Sequence, residues 1–449
     1  MITYSIIQKS QLEGATRLDA EYYQPEYFID FTKGKWQPIG DFLEVCQYGI
    51  SQSMNEDSVG YPIFRMDDIK NAFVVDNEVK YVDIPEAIFN QFKLEKGDIL
   101  FNRVNSEEFV GRTGIFKLNG DFVFASYLIR LRVKQGGEIL SDYLNIFLNS
   151  LHGIKQIRKY RRRAVNQANV NAEELKQIKI AVLPIYLQQN ISKLLNESWK
   201  ELEDSKRLYH QAEQLLLQGL GLEDFEEKED LSYVVNLSDV QKAHRMDAEF
   251  FQPKYNRLIE KLKTKNVKPL TEIVENVPAH FIPKPEEKYT YVELANINSS
   301  IGVIDGFSEI LGKEAPSRAK RLLKSKDVIA SSVEGSLEKV ALVENDQEGY
   351  IASTGFFQFR SKEILPEVLL VLAKSIVLQM QLQKYCAGTI LTAVPKESLN
   401  TFIIPVVTSE IQHQIAELVK KSHEARKTSK ELLEEAKRKV EEMINRGNF

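Results

Sequence analysis

The chain has 449 residues, a hydrophobic fraction of 43% and a formal net charge of −5, values that point to globular protein and to two domains rather than one. Its longest apolar run, residues 368–373, is far short of the about 20 residues that cross a bilayer, and residues 1–10 hold no basic stretch followed by an apolar core. Two cysteines without a CxxC pair and six scattered histidines exclude a disulfide framework or structural zinc site, so the reading is a soluble cytoplasmic protein with no membrane contact.

Read in chain order, the first feature is Arg17-Leu-Asp-Ala-Glu-Tyr-Tyr-Gln-Pro-Glu-Tyr27, which returns as Arg245-Met-Asp-Ala-Glu-Phe-Phe-Gln-Pro-Lys-Tyr255 with seven of eleven positions identical at an offset of 228. Short apolar runs at 63–66, 98–101, 122–124 and 128–133, rich in Val, Ile, Phe and Tyr and punctuated by Gly and Asn-Gly, predict strands, with helical patches flanking them. Several further strings return in order: Asp68-Ile69 as Asn296-Ile297, Gly97-Asp-Ile-Leu100 as Lys326-Asp-Val-Ile329, Ala125-Ser126 as Ala352-Ser353, and Lys159-Tyr160 as Lys384-Tyr385. The chain is therefore a duplication of two units of about 224 residues.

Each unit ends in one long predicted helix. The first carries a stripe at Leu187, Ile191, Leu194, Ser198, Leu202, Ser205, Leu208, Ala212 and Leu215. The second carries Ile411, Ile415, Leu418, Ser422, Ala425, Ser429, Leu432, Ala436 and Val440. These approximate a heptad seam with small residues at matching central places, so the helices are expected to pair closely. Pro184 before the first helix, a capping box Ser409-Glu-Ile-Gln412 at the second, and Gly219, Gly221 and Gly447 near the ends set the limits. The expected domains are 1–184, the first long helix 185–220, an acidic linker 221–232, a second domain 233–407 and the second long helix 408–446.

Two globular regions, each followed by a matching long helix and each opened by Arg-x-Asp-Ala-Glu-x-x-Gln-Pro, resemble the specificity subunits of Type I restriction-modification systems. Residues 65–70, 94–100, 110–114 and 175–189 carry the likeness further in the first half. The resemblance implies an α+β fold, with two tandem α/β target-recognition domains separated by two long helices pairing as an antiparallel coiled coil. It also implies that each domain reads one half of a bipartite site on double-stranded DNA. By the same resemblance the helices act as a ruler, methyltransferase subunits dock on the chain, and a restriction and translocase subunit joins the assembly. The second half departs from the pattern: Lys326 replaces the glycine, and Glu338-Lys-Val-Ala341 lacks Gly-Arg.

Base edges are read best by Arg on guanine and by Asn or Gln on adenine. The basic run 155–163 holds six cations and no acid, and with its continuation supplies Arg158, Lys159, Arg161, Arg162, Arg163, Asn166, Gln167 and Asn169. The corresponding second-half residues are Lys384, Thr389 and Thr392. A further set follows the Gly-Asp-Ile-Leu strand, namely Asn102, Arg103, Asn105 and Arg112, against Ser331 and Ser332. The stretch 313–326, with Lys313, Arg318, Lys320 and Arg321, suits phosphate contact, which positions without specifying; an exposed amphipathic helix is the plainer reading. The acidic run 223–230 reads as a solvated face, and the Asp-Ala-Glu openings read as helix caps with aromatic staples.

No phosphate-binding Gly-x4-Gly-Lys-Ser/Thr loop and no Pro-Pro dipeptide occur in the chain, so neither a motor nor an amino-methyltransferase motif is present. The chain is expected to carry no catalysis and no cofactor, with S-adenosylmethionine, ATP and Mg held by partner subunits. Two other readings stand beside this one: a duplicated protein-binding scaffold that never touches DNA, and an enzyme with an unrecognised site.

Overall fold

The computed structural model of the chain describes residues 6–9, 17–76, 79–164, 167–387 and 392–447. Two compact units divide it: the first takes Met1–Glu201 and Lys427–Phe449, the second Leu202–Arg426. Each holds one globular region and parts of both long helices, Ile185–Leu220 and Ser409–Arg446.

The first unit is built on a six-stranded sheet in the order Leu43–Tyr48, Leu128–Val133, Ile99–Asn102, Thr113–Ile115, Phe73–Val74, Ile69–Lys70. The second repeats that order with Val274–Asn276, Phe356–Ser361, Val328–Ser331, Val340–Leu342, Val303–Ile304, Ile297–Asn298. Every residue of the strands Ile99–Asn102 and Val328–Ser331 is buried, which explains their unbroken apolar runs. Helices Ser141–Leu148 and Pro366–Lys374 lie against the sheets of their own units and bring a second apolar layer to the core. The strands expected at 63–66, 98–101, 122–124 and 128–133 form at Tyr61–Phe64, Ile99–Asn102, Val123–Phe124 and Leu128–Val133.

The repeated Asp-Ile-Leu and Asp-Val-Ile strings owe their recurrence to a buried ion pair. Asp98 accepts from Arg132 through both oxygens, at 2.7 and 2.8 Å, and from the Glu95 amide. Asp327 does the same with Arg360, at 2.9 and 3.0 Å, and with the Lys324 amide. Charge-assisted, two-point bonds of this kind fix a turn against a strand. The preceding residue must adopt a left-handed backbone: Gly97 has φ +95°, and Lys326, where the second unit lacks the glycine, still takes +69°. A lysine there bears the strain that glycine avoids.

Within each unit the two long helices run antiparallel and touch through serines. In the first, Ser198 Oγ donates to the Ser429 carbonyl at 2.8 Å and Ser429 Oγ to the Ser198 carbonyl at 2.7 Å. In the second, Ser422 Oγ donates to the Ser205 carbonyl at 2.7 Å. A hydroxyl reaching the opposite backbone requires small residues on both sides.

The buried seam differs from the expected stripe. It runs through Ile191, Leu195, Ser198, Leu202, Ser205, Tyr209, Ala212 and Leu216, and through Ile415, Val419, Ser422, Arg426, Ser429, Leu433, Ala436 and Val440. Leu195, Tyr209 and Leu216 thus replace Leu194, Leu208 and Leu215, while Leu194, Leu208, Leu418 and Leu432 are only half-buried. Strict alternation of four- and three-residue steps keeps a seam facing its partner. The expected stripe of the first helix broke that alternation by favouring leucine, and that of the second kept it as far as Ala436 but took Leu418, Ala425 and Leu432 in place of Val419, Arg426 and Leu433. Ala425 is buried beside Arg426, whose guanidinium pairs with Asp305 at 2.8 Å.

The helix ends also sharpen the sequence reading. Gly221 and Gly447 take left-handed φ of +62° and +69° as C-terminal caps, whereas Gly219 stays inside the helix. The second helix is capped by Thr408, whose Oγ1 accepts from the Ile411 amide at 3.5 Å, rather than by a box from Ser409. Gln412 instead ties the helix to its domain through the Leu365 amide and Val407 carbonyl. Gln188 does so in the first unit through the Leu140 amide and the Glu138 and Leu183 carbonyls.

Candidate nucleic-acid interface

The repeated Arg-x-Asp-Ala-Glu opening is a clasp on the helix that leads into the basic loop. Arg17 grips Asp19 at 2.8 and 2.6 Å, donates to the Tyr160 carbonyl at 3.0 Å and lies over the Tyr22 ring at 4.8 Å. Lys159 Nζ sits 4.5 Å from the same ring. In the second unit Arg245 grips Asp247 at 2.8 Å twice, donates to the Cys386 carbonyl at 3.0 Å and covers Phe250 at 4.5 Å, with Lys384 Nζ at 5.0 Å from that ring. The arginine hydrogen bonds hold both aspartates below the usual carboxylate range. Asp19 makes no cap bond to its short helical turn, whereas Asp247 Oδ1 accepts the Phe250 amide at 3.1 Å as a cap does. Both acids also serve the arginine, and the expected aromatic staple is a cation–π stack.

Beyond the clasp in the first unit, the chain forms a three-stranded sheet of Arg162–Ala164, Gln167–Asn169 and Val104–Asn105. Arg162 stands opposite Asn169, Arg163 opposite Ala168, and Ala168 opposite Asn105. Two of the stretches singled out by sequence are thus brought together on one small sheet. The second unit keeps a reduced version, in which Ala393 bridges to both Val333 and Ala387.

The loop cations are held by carboxylates from three distant segments. Arg161 pairs with Glu107 at 3.3 Å, Arg162 with Glu174 at 2.6 Å, and Arg163 with Glu21 and Glu107 at 2.7 Å each. Sequence reasoning missed these acids, because each lies outside the basic run it neutralises. It also missed the open groove lined by Ser51, Gln52, Arg65, Asp67, Ser126 and Tyr127, to which Asn105 is joined through Met66. The signal available was Gly49, where an added Cβ would meet the Phe124 carbonyl at 2.3 Å, beside the polar Ser51-Gln-Ser53 string.

Arg158, Arg162, Arg163, Gln167 and Arg112 are exposed, with Arg112 also lying over Phe109. Asn105, Asn169 and Arg103 are half-buried, and Arg103 packs over Tyr48 while donating to the Ser126 carbonyl. Asn102, Ser331 and Ser332 are interior: Asn102 donates to the Phe109 carbonyl, Ser331 shares a hydrogen bond with Ser336, and Ser332 donates to the Gly355 carbonyl. They shape the loops instead of facing a ligand. Asn166 and Thr389 lie outside the described residues, while Thr392 is half-buried and its carbonyl accepts from the Glu334 amide.

The stretch 313–326, expected to suit phosphate contact and with an exposed amphipathic helix as its plainer reading, contains the edge strand Ala319–Leu322 in place of a helix. Its alternation leaves Arg318 and Lys320 exposed and turns Arg321 inward, where its guanidinium holds the Val277 carbonyl at 2.7 Å and burial lowers its pKa to about 10. Lys313 is exposed on the preceding turn. Among the described residues no group of three or more His, Cys, Asp or Glu is placed to hold a metal ion, and no helix is long and apolar enough to cross a membrane.

Residues 33–213 and 261–438 both match the family model of the Type I restriction modification DNA specificity domain. The chain belongs to this family. It is a mixed α+β protein with two specificity domains joined by long helices. The two matched segments contain the duplicated sheets, whereas Arg17 and Arg245 of the clasp precede them. Among curated proteins, the chain is 32% identical over 185 residues to the Type I restriction enzyme MjaX specificity subunit of Methanocaldococcus jannaschii, covering 39% of this chain and 43% of that one. It is 27% identical over 172 residues to the EcoKI specificity subunit of Escherichia coli, covering 38% and 36%. The match therefore spans less than half the length of either relative. A solved structure of the S subunit of a Type I restriction-modification system from M. genitalium aligns with 93% of this chain and 98% of its own, at 14% identity and a TM-score of 0.44.

Proposed function

We propose that this chain reads DNA sequence as the specificity subunit of a Type I restriction-modification complex, each domain reading one half of a bipartite, asymmetric site. The observation that carries this reading is one duplicated scaffold bearing two unlike loops. In the first unit the small sheet presents Arg162, Arg163, Gln167 and Asn169; in the second the same place holds Ala387 and Ala393. One fold with different surface chemistry suits two different half-sites.

The paired helices set the gap between half-sites and dock methyltransferase subunits. Methyl transfer, ATP-driven translocation and cleavage belong to those subunits and to a restriction subunit, in the cytoplasm. With a net charge of −5, the chain alone should hold DNA weakly, because phosphate neutralisation supplies most non-specific affinity. Selection from a random duplex library by the chain assembled with its methyltransferase tests this. Enrichment of two unlike fixed blocks at one constant separation is expected, and no enrichment would contradict the reading.

A further inference from the structure

Arg162 differs from the other cations of the basic loop in how it is held. Its Nε donates to Glu174 Oε1 at 2.6 Å, and its side chain remains 63% exposed. No other side-chain hydrogen bond or ion pair of Arg162 is present among the described residues, so the terminal Nη1 and Nη2 pair is left facing solvent. Arg161, by contrast, is only 10% exposed and spends both terminal nitrogens on Glu107. Arg163 is divided between Glu21 and Glu107.

The anchor is itself rigid. Glu174 is 7% exposed, its other oxygen accepts from the Asn171 amide at 3.2 Å, and its own amide is capped by Asn171 at 2.8 Å. It also lies 3.6 Å from Arg17 of the clasp. A buried carboxylate tied to a helix start thus fixes the Nε end of an exposed arginine that stands on a strand.

Two ligands accept a terminal arginine fork: a phosphate, and the O6 and N7 edge of guanine. Charge separates them. Pairing with Glu174 cancels most of the net charge that attracts phosphate, and leaves a carboxylate close to where a phosphate would sit. A neutral base edge suffers neither penalty and gains from a donor pair whose rotamer is already fixed, since an unrestrained arginine loses side-chain entropy on binding. The second unit lacks both parts: no arginine is present at 386–392, and Ser398 occupies the place of Glu174.

We infer that Arg162 reads a guanine in the half-site of the first domain through its Nη1 and Nη2 atoms, with Glu174 as the residue that positions it. This rests on the DNA-reading function proposed above. It goes further in naming the base and the residue pair.

The test uses the chain assembled with its methyltransferase, the duplex that this complex selects, and a panel in which each fixed base pair is changed in turn. Wild type should discriminate at every fixed pair. Arg162→Ala should lose about 10- to 100-fold in affinity for the selected duplex, with discrimination collapsing at a single G·C pair of one half-site and intact elsewhere. Glu174→Gln keeps an acceptor for the Asn171 amide, and should weaken discrimination by about 3- to 10-fold at that same pair and not at the others. A uniform loss across all duplexes, with the salt dependence reduced by about one phosphate, would make Arg162 a backbone contact and overturn the inference. So would an unchanged Arg162→Ala profile, or a Glu174→Gln effect spread evenly over all positions. If wild type selects no duplex, the DNA-reading function itself falls, a result distinct from any of these.

Discussion

Asp68 and Asn296 occupy the same place in the two units and do the same work. Asp68 Oδ2 accepts the Arg65 amide at 2.6 Å, and Asn296 Oδ1 accepts the Glu293 amide at 2.8 Å. The carboxylate does this work at a cost the amide avoids: Asp68 is 4% exposed, and burial raises its pKa to about 6 against the opposing pull of the Arg65 amide and side chain. The folded state therefore binds this proton more tightly than the unfolded chain. Stability from this group is full below about pH 4 and is lost as the pH rises through about 6. Asp68→Asn should stabilise the first unit at pH 7 by on the order of 1 to 3 kcal/mol, and by nothing near pH 4, in urea titrations at the two pH values. An equal effect at both would contradict the assignment. The alignment of Asp68 with Asn296 was legible in the sequence, but its consequence was not, because burial of that turn is set by residues far along the chain.

At the scale of elements, the long helices were the most legible part, since a heptad seam is a local pattern. Their length, antiparallel pairing and central serines were all expected. The exact seam was not: leucine is apolar wherever it lies, so Leu194 and Leu195 compete on composition, and only contact with a partner decides for Leu195. Arg426 could not be placed in a buried seam without Asp305 to receive it. The serine contacts support a specific expectation. Ser198→Leu should force the helix backbones apart and destabilise the first unit by about 1 to 3 kcal/mol, from overpacking. Ser198→Ala should cost about 1 kcal/mol, and its combination with Ser429→Ala less than the sum of the two, because they share one contact. Denaturation midpoints of Ser198→Leu, Ser198→Ala, Ser429→Ala and the double variant against wild type check this. A neutral Ser198→Leu would show that the close approach does not exist.

For the whole molecule, the duplication could be read because its strongest signal, Arg-x-Asp-Ala-Glu with paired aromatics, serves the same clasp in both units. The loops that the clasp presents have diverged, and much of their chemistry comes from acids at positions 21, 107 and 174. Sequence could therefore find the cations but not which of them remain available. It named Asn102, Arg321, Ser331 and Ser332 for their side-chain chemistry, whereas folding spends those groups on the interior. The central claim is that one scaffold with two unlike surfaces reads two unlike half-sites. Its most direct test is methylome sequencing of a methylation-free host that expresses the chain with its methyltransferase. The account predicts methylation at an interrupted, non-palindromic motif, with exchange of residues 158–169 altering one half and sparing the other; a palindromic motif, or an exchange that changes both halves, would contradict it.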